Sequence, residues 1–191
     1  MFYEENSPFY RLLSTKYKHE EEELGISIVE AHPEIAKLTW EGPDKQGQPF
    51  VKGSTALHYA ANDGKDQLVL KLIEHGSDIN ACGANWYRSV LSWAANNAQI
   101  STINLLLAKG ADPTSFDAVH AAAFGGSSCG EGQAEEYAET LKILIEAGAD
   151  INDRRHYLNQ HLLQSLLRVE TVGQYRIYLA VVHQKLRRIN P

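Results

Sequence analysis

The residues of this 191-residue chain with chemistry to offer are its histidines, two cysteines and one tight Trp-Tyr-Arg cluster. His58 and His120 are the candidates for a metal pair or a general base. Each holds the same place in a recurring phrase, Thr55-Ala-Leu-His58-Tyr-Ala-Ala61 and Asp117-Ala-Val-His120-Ala-Ala-Ala123, with Ser89-Val-Leu-Ser92-Trp-Ala-Ala95 between them. On helices packed about 8–10 Å from one another, two repeats of separation puts the imidazoles on the order of 20 Å apart, too far to share a metal. His156 and His161 are five apart, which misses the i, i+4 spacing that sets two ligands on one helical face.

Cys129 sits in Gly125-Gly-Ser-Ser-Cys129-Gly-Glu-Gly132, where exposed backbone amides can lower a thiol pKa and create a nucleophile. The loop contains no basic residue, no partner His or Asp is fixed by spacing, and the string matches neither a phosphate-binding loop nor a nucleophile elbow. Cys82 and Cys129 have no CxxC spacing, so neither a zinc site nor a disulfide framework is signalled. The expectation is no enzyme, no catalytic residue, no metal and no cofactor. That leaves Trp86-Tyr87-Arg88, residue types that anchor protein interfaces because they bury much area while keeping a polar handle.

The elements that would position these side chains follow from a second recurring phrase. Gly76-Ser-Asp-Ile-Asn80, Gly110-Ala-Asp-Pro-Thr114 and Gly148-Ala-Asp-Ile-Asn152 each close an apolar helical pattern, and the first two glycines are 34 residues apart. Within one unit, Leu57, Ala60 and Ala61 give a short helix a small-residue face, and Gly64 ends it. A second helix then carries Leu68, Val69, Leu72 and Ile73 before Gly76 stops it. Ile103, Leu105, Leu106 and Leu107 repeat the pattern, as do Leu141, Ile143, Leu144 and Ile145. Neither helix of a pair can bury its apolar face alone, so the pairs must stack into one continuous seam.

These phrases resemble the ankyrin repeat, most closely over residues 53–80 and more generally over 53–152. The resemblance implies an all-α solenoid of stacked helix–turn–helix units with β-hairpin-like finger loops, three clear repeats, and degenerate capping helix pairs at both ends. We expect one domain over 1–191: an N-terminal cap at 1–38, core repeats at 39–152, and a C-terminal cap at 153–191. Ser7-Pro8 suits a first helix start, with a second helix near 19–31 whose acidic run Glu20 to Glu23 suits the helix dipole and reads as solubilising rather than as a site. Four departures mark individuality: an extended finger at 39–52, Tyr87 where the pattern has Gly, a truncated third finger around Phe116, and a glycine-rich loop insertion at 125–134. Lys71 replaces a buried leucine and is expected to lay its stem on the core with its amine in water.

The resemblance also implies function by class. Members of the family mostly bind other proteins on the concave surface of fingers and first helices, and the repeated His is a structural group there. The variable positions map onto Lys52, Ser54, Asn62 and Asp63, then Asn85, Trp86, Arg88, Asn96 and Asn97, then Phe116 and Phe124. Trp86, Tyr87 and Arg88 are the first hot-spot candidates and Trp40 the second, while Trp93 is assigned to helix packing. A dedicated inhibitor or immunity-type partner of one enzyme or toxin is the alternative.

The net charge of −6 conceals an asymmetry. Residues 154–191 carry seven Lys/Arg against Glu170 alone, so the preceding chain is strongly acidic. Nucleic-acid contact through that basic end ranks behind protein binding, because the body is acidic and no aromatics interleave with the basic residues. Met1-Phe-Tyr-Glu-Glu has neither the basic start nor the apolar run of a secretory signal, and no stretch approaches a membrane span, so a cytoplasmic protein is expected.

Overall fold

The computed structural model describes residues 7–14, 20–41, 51–83, 89–114, 118–128 and 133–150. Eight α-helices lie within these segments: α1 (Pro8–Ser14), α2 (Glu20–Ala31), α3 (Ala56–Asn62), α4 (Asp66–Glu74), α5 (Val90–Asn96), α6 (Ile100–Ala108), α7 (Ala118–Ser128) and α8 (Ala134–Glu146). Each odd-numbered helix packs on the next even one, and the odd and even helices also stack on their own kind, α1 to α3 to α5 to α7 and α2 to α4 to α6 to α8. Two parallel rows of helices result.

The first row depends on small residues. Ala60 and Ala61, Ala94 and Ala95, and Ala121 and Ala122 are all buried between successive helices, so the backbones approach closely. The second row supplies the bulk: Leu68, Val69 and Leu72 from α4, Ile103 and Leu106 from α6, and Leu141 and Leu144 from α8 join one continuous cluster. Helices α3 and α5 have seven residues each, too few to persist in water alone, so their existence is a consequence of stacking. Each buried leucine contributes about 1.5–3 kcal/mol relative to exposure.

The even helices α4, α6 and α8 end in one way. Gly76, Gly110 and Gly148 have φ of +86°, +96° and +109°. After each, the next amide reaches back to the last turn: Ser77 to Leu72 at 2.9 Å, Ala111 to Leu106 at 2.9 Å and Ala149 to Leu144 at 3.0 Å. This is the glycine closure that satisfies carbonyls left open at a helix end.

The N-terminal helix pair forms where the sequence places it, and the Ser7 hydroxyl accepts the Tyr10 amide at 3.2 Å. A 3₁₀ turn at Pro33–Lys37, unforeseen in the sequence, buries Ile35 and Ala36. It is tied to the loop of the following unit by the Ser77 hydroxyl, which donates to the Ala36 carbonyl at 2.5 Å.

The feet of two fingers pair as antiparallel bridges, Thr39 with Thr55 and Cys82 with Ser89. In the first, the Trp40 amide donates to the Ser54 carbonyl and the Gly53 amide to the Trp40 carbonyl, both at 2.7 Å. The third connection, from Ala108 to Ala118, is shorter than the one from Glu74 to Val90, while Phe116 itself lies outside the described residues.

One expectation is corrected by α7. The segment 125–134 reads as a loop, yet Gly125 to Ser128 continue the helix and α8 already begins at Ala134. Gly125 is required by proximity. A Cβ there would stand 2.2 Å from the Asn96 carbonyl oxygen and 2.6 Å from the Tyr137 ring. The expected C-terminal cap at 153–191 lies outside the described residues, as do Cys129, His156 and His161.

Candidate functional site

The sequence candidates divide into those the fold consumes and those it leaves at the surface. Trp40, read as a finger residue, is 1% exposed and lies in the core with its ring centroid 6.3 Å from that of Tyr10. It packs between the finger foot and α1 and, contrary to the expectation for a hot spot, offers almost no surface to a partner. Ser54 is likewise buried. Its hydroxyl donates to the Val51 carbonyl at 2.5 Å and lies 2.9 Å from the Tyr59 hydroxyl, which also accepts the Val51 amide at 2.8 Å. Ser54 and Tyr59 therefore brace the finger.

His58 is also structural, as the resemblance implies. The Thr55 amide donates to its Nδ1 at 3.1 Å, the Thr55 hydroxyl lies 2.9 Å from the same nitrogen, and the ring stands edge-on to Trp93 at 5.2 Å. Thr55 and His58 form a reciprocal cap at the start of α3. Trp93 packs edge-on to Tyr59 as well, at 5.1 Å, which places it in the helix row as expected. No cluster of three or more His, Cys, Asp or Glu that could hold a metal occurs among the described residues.

The remaining candidates lie along the C-terminal ends of the first-row helices. Asn62, Asn96 and Phe124 hold the same place in their repeats, followed by Asp63, Asn97 and Gly125. The Asn97 side chain donates to Asn62 Oδ1 at 2.7 Å and to the Trp93 carbonyl at 3.3 Å. Asn62 donates to Asp63 Oδ1 at 2.7 Å, and Asp63 lies 4.0 Å from the Lys65 ammonium. Asn96 is partly enclosed, and its carbonyl accepts the Tyr137 hydroxyl at 2.9 Å. Phe124 is 52% exposed; it and Leu24 are the large apolar side chains most open to solvent among the described residues. Lys52 is exposed at the finger foot. Asn85, Trp86, Tyr87, Arg88 and Phe116 lie outside the described residues.

Sequence reasoning missed a polar ladder along the second row. Glu22, read as part of a solubilising acidic run, accepts the amides of Gln67 and Leu68 at 2.9 and 3.1 Å, so a carboxylate of α2 caps the N-terminus of α4. Asp66 in turn accepts the hydroxyls of Thr102 at 2.5 Å and of Ser101 at the start of α6. Asn80 Oδ1 takes the Asp112 amide of the next loop at 2.8 Å. The signal was present as a carboxylate or carboxamide one unit upstream of each acceptor-hungry turn. Its reading required the stacking register, which the inserted finger obscures.

Lys71 follows the expected course. Half-buried on α4, its ammonium lies 3.4 Å from both Glu30 of α2 and Glu74 of its own helix. Hydrogen bonds to Glu74 and then Glu30 hold its pKa above the ordinary lysine value.

Two rows of short helices, bridged finger feet and recurring glycine closures define a helical-repeat solenoid. The particular family is shown by comparison: residues 24–117 match the family model for ankyrin repeats in three copies, and the chain is an ankyrin repeat protein. Among curated relatives, it is 35% identical over 100 residues to B-cell lymphoma 3 protein homolog of Mus musculus, covering 52% of this chain and 21% of that one. It is 32% identical over 85 residues to Palmitoyltransferase Hip14 of Drosophila melanogaster, covering 44% and 13%. It is 42% identical over 62 residues to BCL-6 corepressor-like protein 1 of Homo sapiens, covering 32% and 3%. The chain thus spans about a fifth or less of the length of these relatives. No described helix is long and apolar enough to cross a membrane.

Proposed function

We propose that the chain is a protein-protein interaction module that engages a partner on the face built from finger feet and the C-terminal ends of the first-row helices. The observation that carries this reading is the contrast along the first-row helices. Scaffold residues of α3, α5 and α7 are buried, whereas Asn97 and Phe124 at the helix ends are exposed. Among the described residues of that face the carboxamides are joined across neighbouring repeats, and an exposed aromatic in the same row suits recognition. Trp86, Tyr87 and Arg88 of the second finger extend the same surface in this reading, and Lys52 adds a cation at its edge. The cytoplasm is the compartment we propose, since two cysteines without framework spacing suit a reducing setting.

The test is affinity capture from the source lysate on the immobilised chain, beside Phe124→Ala and Trp86→Ala/Arg88→Ala. One stoichiometric protein captured by the parent and weakened by about 1–3 kcal/mol per anchor removed supports the reading. Melting temperatures must stay close to the parent's. Loss of stability in step with loss of binding would assign these residues to the scaffold instead.

A further inference from the structure

Two carboxamides on neighbouring repeats have their orientations set by hydrogen accounting. Asn97 has two amide hydrogens, and both are used, one on Asn62 Oδ1 and one on the Trp93 carbonyl. Its Oδ1 is therefore the group of this exposed side chain that faces solvent. Turning the Asn97 amide over would set oxygen against two oxygens, so the bonding fixes the orientation. Asn62 accepts from Asn97 and gives one hydrogen to Asp63 Oδ1, which leaves its second amide hydrogen. Gln99 steadies the same joint by donating to the Asn62 backbone carbonyl at 3.3 Å. The remaining N–H donor and C=O acceptor thus belong to one bonded pair of carboxamides that spans the junction of two repeats.

That pair has a natural complement. In an extended chain the N–H and C=O of one residue point the same way, which is how two strands exchange a pair of hydrogen bonds. A donor and acceptor carried by one bonded carboxamide pair can satisfy such a residue without reading its side chain or any charge. Phe124 of the next repeat lies just before Gly125, which abuts the Asn96 carbonyl. With packed helices about 8–10 Å apart and an extended chain advancing about 3.3 Å per residue, a side chain some three residues along reaches that ring.

We infer that Asn62 and Asn97 form a backbone clamp for an extended segment of a partner protein, with an apolar side chain of that segment seated on Phe124. This rests on the binding face proposed above, and it commits that face to a linear segment rather than a folded surface.

The experiment selects phage-displayed random linear peptides on the immobilised full chain, then titrates a selected peptide and its singly N-methylated forms. The clamp predicts that N-methylation at one position lowers affinity about tenfold, as loss of a buried hydrogen bond would. Asn97→Ala should lower it similarly, and Phe124→Ala to a smaller degree. Because Asn97→Ala also removes an inter-repeat bond, the Asn62 and Asn97 side-chain amide resonances of the unaltered protein are followed in the same titration. Both should shift at the peptide's own saturation. The inference is overturned by peptides indifferent to Asn97→Ala, by unmoved amide resonances or by failure to select any linear peptide. Cellular partner capture that survives Asn97→Ala but not Phe124→Ala would remove the clamp and leave the binding face standing.

Discussion

The first repeat and the second perform the same fold with different local chemistry. In the first, Thr55 and His58 close the start of α3, and Gly64 turns the chain into α4 at φ +69°. In the second, Ser89 accepts the Ser92 amide at 3.1 Å and Ser92 returns a bond to the Ser89 carbonyl at 2.7 Å, while Ala98 makes the turn at φ +49°. Tyr59 answers to Trp93, and Lys71 to Leu105. What the array requires at each position is a satisfied amide, a left-handed turn and a filled volume; the residue that supplies them is free to vary. At the cap the first repeat uses the larger, more interlocked groups, and so a single loss there should cost more.

The largest separation is expected at the cap. His58→Ala removes the acceptor of the buried Thr55 amide and the ring that Trp93 packs against, and should cost ~2–4 kcal/mol. Ser92→Ala at the equivalent place keeps the Ser89 cap and loses one hydroxyl bond, for ~0.5–1.5 kcal/mol. Urea denaturation of both variants measures the difference directly. Equal losses would show that the two repeats are braced alike and that the imidazole is only one more buried side chain.

A reciprocal pair of turn variants sharpens the same contrast. Ala98 occupies a left-handed conformation that costs an L-residue roughly 1–2 kcal/mol, so Ala98→Gly should stabilise the protein by ~0.5–1 kcal/mol after the entropy of glycine is deducted. Gly64→Ala should destabilise by at least the same strain, because the new Cβ would also meet the Gln99 carboxamide. Thermal melts showing no gain for Ala98→Gly would mean that the second turn relaxes its strain elsewhere.

The repeats were legible because their phrases state the packing: small residues on one helix, leucines on the next and a glycine at each close. What escaped was long-range. Trp40 stands near a Pro/Gly turn and reads as a finger residue, yet it is buried beside the Tyr10 ring of α1. Gly125-Gly126 reads as a flexible loop, because sequence does not display the Asn96 carbonyl and Tyr137 ring that forbid a side chain at Gly125. Glu22 reads as one of four solvated acids, since the helix whose amides it caps begins only at Asp66. Of the binding candidates, sequence located the row Asn62, Asn97 and Phe124, but the bonding that orients two of them is visible only once adjacent repeats are in register.

The smallest effect concerns Lys71, where the first repeat keeps an amine and the second a leucine. Its folded pKa is raised above the ordinary value by hydrogen bonding to Glu74 and Glu30. A raised pKa means that the ammonium form is favoured in the folded state, so its contribution to stability is fully present below the unfolded lysine value and fades as pH rises through the folded one. The window is therefore alkaline, beginning near the ordinary value of 10.5 and extending above it. Because the amine is solvent-accessible, salt should shrink the effect. Lys71→Leu, which copies Leu105, should flatten the alkaline limb of the stability profile while leaving neutral stability little changed. An alkaline limb as steep in Lys71→Leu as in the parent would assign it to other groups and leave the glutamate pair of α2 and α4 without a role in holding the rows together.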